Sequence, residues 1–109
     1  MISITDFEKV ELRVGRIVSV DDVEGARRPI YRLSIDFGQE LGTRTVAAGI
    51  KHIYLKEELL NKRVVCVVNL EPKYVAGIES QGMILAAGED DHIAIISPER
   101  EVAEGSRVH

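Results

Sequence analysis

Between Val67 and Ala87 the chain sets Asn69, Lys73, Ser80, Gln81 and Met83 in and beside a polar loop flanked by two apolar runs. Two amides, a hydroxyl and an ammonium can exchange hydrogen bonds with a ligand and neutralise an anion, which is recognition rather than covalent chemistry. Pro72 and Gly77 shape the turn, and Gly82 lets the backbone pass close to a neighbour before Met83 opens the next run. A glycine-jointed loop of this kind between core strands suits a surface that binds.

The rest of the chain supplies no catalytic set. His52, His92 and His109 lie in unrelated segments, and there is no GxSxG elbow, HExxH helix, P-loop or GxGxxG turn. Asp90, Asp91 and His92 are adjacent and cannot all point at one ion from a turn, so they read as a solvated hairpin tip. A non-enzymatic protein with no metal and no cofactor is expected. Cys66, the only cysteine, sits inside Val64–Val68; it can form no internal disulfide and is expected to be buried filler.

Composition bounds the class. A length of 109 residues with 45% apolar side chains is enough for one folded core over 1–109 and leaves no room for a second. No apolar run approaches the roughly 18 residues of a membrane span, and Asp6, Glu8 and Lys9 fall where a signal peptide would be apolar, so the expectation is cytoplasmic with no membrane. The formal charge of -4 is unusual for a nucleic-acid binder, but all of it lies in residues 89–109, and residues 1–88 are balanced.

The elements that must hold the loop follow from periodicity. Ser3 followed by Ile4, Phe7 and Val10 predicts a short N-terminal helix whose apolar face needs a partner. Leu12 to Val23 reads as a long strand bent at Gly15 or at a bulge. Tyr31 to Phe37 alternates apolar and polar, a half-buried antiparallel strand. Thr43 to Ile50 is a third strand, His52 to Leu60 a short helix, Val64 to Leu70 a buried fourth strand and Met83 to Ala87 a fifth, followed by a hairpin through Gly88–Asp91 to Ile93–Ile96. Three strands, a helix and two strands give an all-β fold: a five-stranded Greek-key OB barrel with a short helix between strands 3 and 4 and extensions at both ends.

Four segments, in order, resemble the tRNA-binding domain family. They are Asp6-Phe7 with Glu11 to Ile17, Gly25 to Leu33 with Asp36-Phe37-Gly38, the loop from Asn69 to Gln81, and Met83 to Ala87. The family includes the module at the C-terminus of many methionyl-tRNA synthetases and dimeric CsaA-like tRNA-binding proteins and secretion chaperones. Many relatives carry a second basic residue where this chain has Tyr74, and glutamate where it has Gln81.

The resemblance implies binding to the outer corner of the L-shaped tRNA, largely independent of anticodon sequence. Arg13 and Arg16 on strand 1, Arg28 and Arg32 on the strand 1–2 turn and strand 2, Lys51 at the end of strand 3 and Lys73 in the strand 4–5 loop would contact phosphates. Asn69, Ser80 and Gln81 would bond ribose or base edges, Met83 would pack on a base or fill the core, and Tyr31 and Tyr74 could stack. It further implies a homodimer built with the terminal extensions. Two alternative readings are a chaperone for unfolded or exported polypeptides and an accessory subunit that delivers tRNA to an aminoacyl-tRNA synthetase.

Overall fold

The computed structural model describes residues 1–109, all of them. Its organising element is β1 (Leu12–Asp22), which pairs antiparallel with β4 (Arg63–Val67) through its first half and with β2 (Tyr31–Asp36) through its second. On the far side of β2 runs β3 (Thr43–Ala48), and β7 (Met83–Ile84) extends the sheet beyond β4. The resulting order, β3-β2-β1-β4-β7, curls until β3 and β7 lie side by side. This is the expected OB architecture, with β7 as its fifth strand.

Alternation along β2 buries Tyr31, Leu33 and Ile35, and these join Ile17, Phe37, Val46, Leu59, Val64 and Cys66 in the barrel core. Cys66 is the expected filler: burial pushes its thiol up to about 12. The short α3 (Lys56–Leu59) plugs one end with Leu59, and Leu55 N–H donates to Glu58 Oε1 to start it. It is one turn, shorter than the expected His52–Leu60, because the preceding residues form a turn held by Tyr54 N–H on Ile50 O.

Gly15 does not bend β1. The register shift comes after Ile17, as a bulge at Val18, while Gly15 faces the core directly under Ile35 and Phe37. A Cβ there would stand 2.5 Å from Ile35 Cγ2 and 2.6 Å from the Phe37 ring. The glycine is therefore a packing requirement.

The remaining differences are at element ends. The fourth strand stops at Val67 instead of Leu70, and the fifth breaks at Leu85 into β7 and β8 (Ala86–Ala87), with β8 pairing to β9 (Ala94–Ile95) across the expected Gly88–Asp91 hairpin. What reads as a loop between strands 4 and 5 is itself a hairpin, β5 (Lys73–Val75) and β6 (Ile78–Ser80), joined through Ala76 and Gly77, both at positive φ. Helix α1 is confined to Ile4–Phe7, with Ser3 and Asp6 forming a capping box. A one-turn α2 (Gly38–Leu41) and a terminal β10 (Arg107–Val108) that pairs with β1 have no clear signal in the sequence.

Because Gly15 is enclosed by large side chains, Gly15→Ala is expected to lower stability by roughly 1–3 kcal/mol through overpacking. Urea denaturation of the variant against the parent protein measures this, and an unchanged midpoint would mean that the core around Phe37 yields freely.

Candidate nucleic-acid interface

The β5–β6 hairpin stands against β3 and makes a groove of about 490 Å³ lined by Ala47, Leu70, Glu71, Lys73, Ser80 and Met83, with Val75 and Gly82 behind them. Ala47 and Val75 also line a second depression, about 460 Å³, that runs on to Arg28, Pro29, Gly49 and His52. Arg28 and His52 continue into a third, with Arg27 and Lys51, under the loop between β1 and β2. The three form one track across β3, from the hairpin to the β1–β2 loop, with a floor of small residues at Ala47 and Gly49. These two loops and the face between them are where an OB barrel presents a ligand site.

The cations divide into two populations. Lys73, Arg27 and Arg28 make no ion pair or side-chain hydrogen bond within the chain, so their charges face solvent along the track. Arg32 is only loosely held, 3.9 Å from Asp21, and its cross-strand neighbour on the same face is Ala47. Lys51 is tied to Asp22 at 3.0 Å, and Asp22 also takes Lys56 at 2.8 Å, so hydrogen bonds from Lys56 and then Lys51 hold the Asp22 carboxyl below its ordinary range.

Arg13 and Arg16 belong to the other population, contrary to the expectation that they face a phosphate. Arg13 is only 7% exposed; its Nη1 donates to Gly105 O at 2.9 Å and its Nη2 to Glu11 Oε1 at 2.8 Å. Arg16 Nε donates to Glu104 Oε1 at 3.0 Å and its Nη1 to Asn61 Oδ1. Arg63, opposite Arg16 on β4, reaches the same Glu104 oxygen and Val102 O. The three guanidiniums fasten the C-terminal segment across β1 and β4. Neither strand pattern foretold this, because the C-terminal acceptors Val102, Glu104 and Gly105 lie about 40 to 90 positions away.

The polar residues of the loop are likewise engaged. Asn69 Oδ1 accepts from Glu11 N–H at 2.8 Å and its Nδ2 donates to Lys9 O at 2.7 Å, which anchors the N-terminal segment beside a different depression, that of Phe7, Val10, Leu12 and Val108. Ser80 Oγ accepts from Ala47 N–H at 3.0 Å and donates to Gly82 O; Gln81 Oε1 accepts from Thr45 N–H at 2.9 Å. Met83 is half exposed in the groove. Tyr31 is buried with its hydroxyl on Tyr54 O and cannot stack on a base, since its side chain points into the barrel. Tyr74 is exposed and donates to Glu79 Oε2, a bond that raises its phenol above the ordinary value.

Arg27, Arg44 and His52 were not among the site residues expected from sequence. Arg27 shares the loop of Arg28 and falls in the Gly25 to Leu33 stretch that carries the family resemblance. Arg44 donates to Val68 O and, at 3.5 Å, to Gln81 O, bridging β3 to the strand 4–5 region. His52 lies 4.0 Å from Asp91 of the β8–β9 tip, so two segments remote in sequence meet at the end of the track.

Residues 12–107 match the family model described as "Putative tRNA binding domain". The chain belongs to the tRNA-binding domain family. It is 48% identical over 103 residues to methionine–tRNA ligase of Pyrococcus horikoshii, a match covering 94% of this chain and 14% of that protein. The chain thus spans about a seventh of the length of the synthetases it matches. The CsaA chaperone protein of Picrophilus torridus superposes over 100% of both chains with a TM-score of 0.92 and 36% identity. A MetRS-related protein of Pyrococcus horikoshii superposes with a TM-score of 0.89 and 33% identity, over 100% of this chain and 98% of that one. Fold and family together make this a CsaA-like tRNA-binding domain.

The Glu104 clasp titrates. A backbone hydrogen bond at Glu104 and then Arg16 hold its carboxyl below the ordinary 4.5, with Arg63 adding to the effect. A carboxyl with a lowered folded value stabilises the fold fully above its unfolded value and loses that contribution as pH falls through the folded one. Stability should therefore decline below about pH 4.5 in part through Glu104, and Glu104→Gln should flatten that limb in urea melts at pH 6 and pH 3.

Proposed function

We propose that the domain binds folded tRNA without catalysing a reaction, through the track from Lys73 across Ala47 and Gly49 to Arg28. The observation that supports this most is that Lys73, Arg28 and Arg27, at the two ends of a groove floored by Ala47 and Gly49, form no ion pair within the chain. Cations at separated points on a shallow surface suit a duplex-containing RNA read through its backbone shape. Arg32 adds a phosphate contact from β2, Lys51 a shared one, and Met83 an apolar contact to sugar or base. Tyr74 offers a free ring face. Glu71 also lines the groove, so the local field is modest and affinity falls steeply with salt.

A homodimer completes this reading. Ile4 is 72% exposed, and Phe7 and Val10 are partly exposed with it on the N-terminal segment, an apolar face with no partner in the chain. A second copy that covers it would set two tracks on one assembly. The domain would act in the cytoplasm; no helix is long and apolar enough to cross a membrane. The synthetase matches favour a role in bringing tRNA to an aminoacyl-tRNA synthetase.

One observation favours the second reading, binding of unfolded or exported polypeptide. Leu70 and Met83, each 48% exposed, give the hairpin groove an apolar wall that an extended peptide could use.

Gel-shift titration of the protein with total tRNA against single-stranded RNA of equal length, at low and physiological salt, tests the proposal. Preference for tRNA is expected, and Lys73→Ala and Arg28→Ala should each weaken it and lower the salt slope by about one. Arg100→Ala, remote from the track, should change neither. Equal or absent binding of the two RNAs would overturn the tRNA reading, and suppression of aggregation of a denatured client would then be the measurement that decides for the second.

A further inference from the structure

We infer that Ser80 and Gln81 are positioning residues: they latch the β5–β6 hairpin onto the free edge of β3 and act on RNA through the placement of Lys73. The functional half of this inference rests on the RNA reading above, whereas the latch itself stands on geometry alone.

In the β2–β3 ladder Arg32 lies opposite Ala47 and Ser34 opposite Thr45. Alternate residues of an antiparallel strand send their amides to opposite sides, and the hydrogen bonds of Thr45 and Ala47 run away from β2. On that side β3 ends the sheet, so these amides would be left open at a partly covered edge. Side chains fill the vacancy. Ala47 N–H donates to Ser80 Oγ at 3.0 Å, and Thr45 N–H donates to Gln81 Oε1 at 2.9 Å. Gln81 N–H returns a bond to Thr45 O at 2.8 Å, closing a two-bond ring between one residue of β3 and one of the loop. Gly82 follows because a Cβ there would meet Val67 O at 3.0 Å as the chain turns into β7.

The hairpin is a separate two-stranded sheet, so its orientation depends on this fastening. Lys73 is the cross-strand partner of Ser80. Ser80 is only 7% exposed and its single O–H is spent on Gly82 O, which leaves no donor for a phosphate. The chemistry of Gln81 separates the two roles. The latch uses only the side-chain oxygen, which a carboxylate supplies equally well. A contact to phosphate would use the amide N–H, which a carboxylate lacks and whose charge would repel the ligand.

Amide hydrogen exchange by NMR and tRNA titration on Ser80→Ala, Gln81→Ala and Gln81→Glu, with thermal melts to confirm folding, test the inference. Gln81→Ala should speed exchange at Thr45, and Ser80→Ala at Ala47, by about tenfold, and both should weaken tRNA binding. Gln81→Glu should keep Thr45 protected and leave tRNA affinity within about threefold of the parent. Loss of tRNA binding in Gln81→Glu as deep as in Gln81→Ala, with Thr45 still protected, would make Gln81 a direct contact and overturn the inference. Unchanged exchange at Thr45 and Ala47 in the alanine variants would overturn it as well. A parent protein without tRNA affinity would remove the RNA reading alone, and the exchange rates would still decide the latch.

Discussion

Every part of this structure depends on β1 serving β4 and β2 at once, with β10 added beside its first two residues. Leu12 to Arg16 bond β4 and Arg16 to Asp22 bond β2, with the bulge at Val18 inside the β2 ladder. A strand shared in this way bends the sheet strongly enough to bring β3 round to β7. The bend leaves little room on the concave side, and that is why Gly15 lies under Ile35 and Phe37.

The same geometry sorts the basic residues. Arg13, Arg16 and Arg63 lie where β1 and β4 run together, within reach of Glu104, Gly105 and Val102 from the C-terminal segment. Their guanidiniums are engaged with the chain itself, and a planar fork suits several acceptors fixed by backbone. Lys73, Arg27 and Arg28, in contrast, sit on the hairpin and loop beside β3 and form no ion pair within the chain. A chain with a net charge of -4 can thereby offer a local cationic surface, since charge acts through its spatial arrangement and screening shortens its range to about 8–10 Å.

An open barrel must also satisfy the backbone of its last strand. Here the edge of β3 is met by a hydroxyl and a carboxamide, where a regular ladder would need a further strand. Side-chain closure holds the β5–β6 hairpin beside β3 as a separate two-stranded sheet, and the groove lies between them. Structure and recognition therefore meet in the same short segment from Ser80 to Met83.

How much of this was legible beforehand varies by residue. The alternation of Tyr31 to Phe37, the apolar run at Val64 and the order of elements determined the barrel, because burial of one strand face is a local property of sequence. Lys73 and Arg28 were found as candidate contacts from a motif resemblance and their loop positions. What only the tertiary structure decided was which polar groups already had partners. Arg13 meets Gly105, Asn69 meets Glu11 and Gln81 meets Thr45, all contacts between residues far apart in the chain. A sequence shows a donor or an acceptor, but its partner is chosen by the fold.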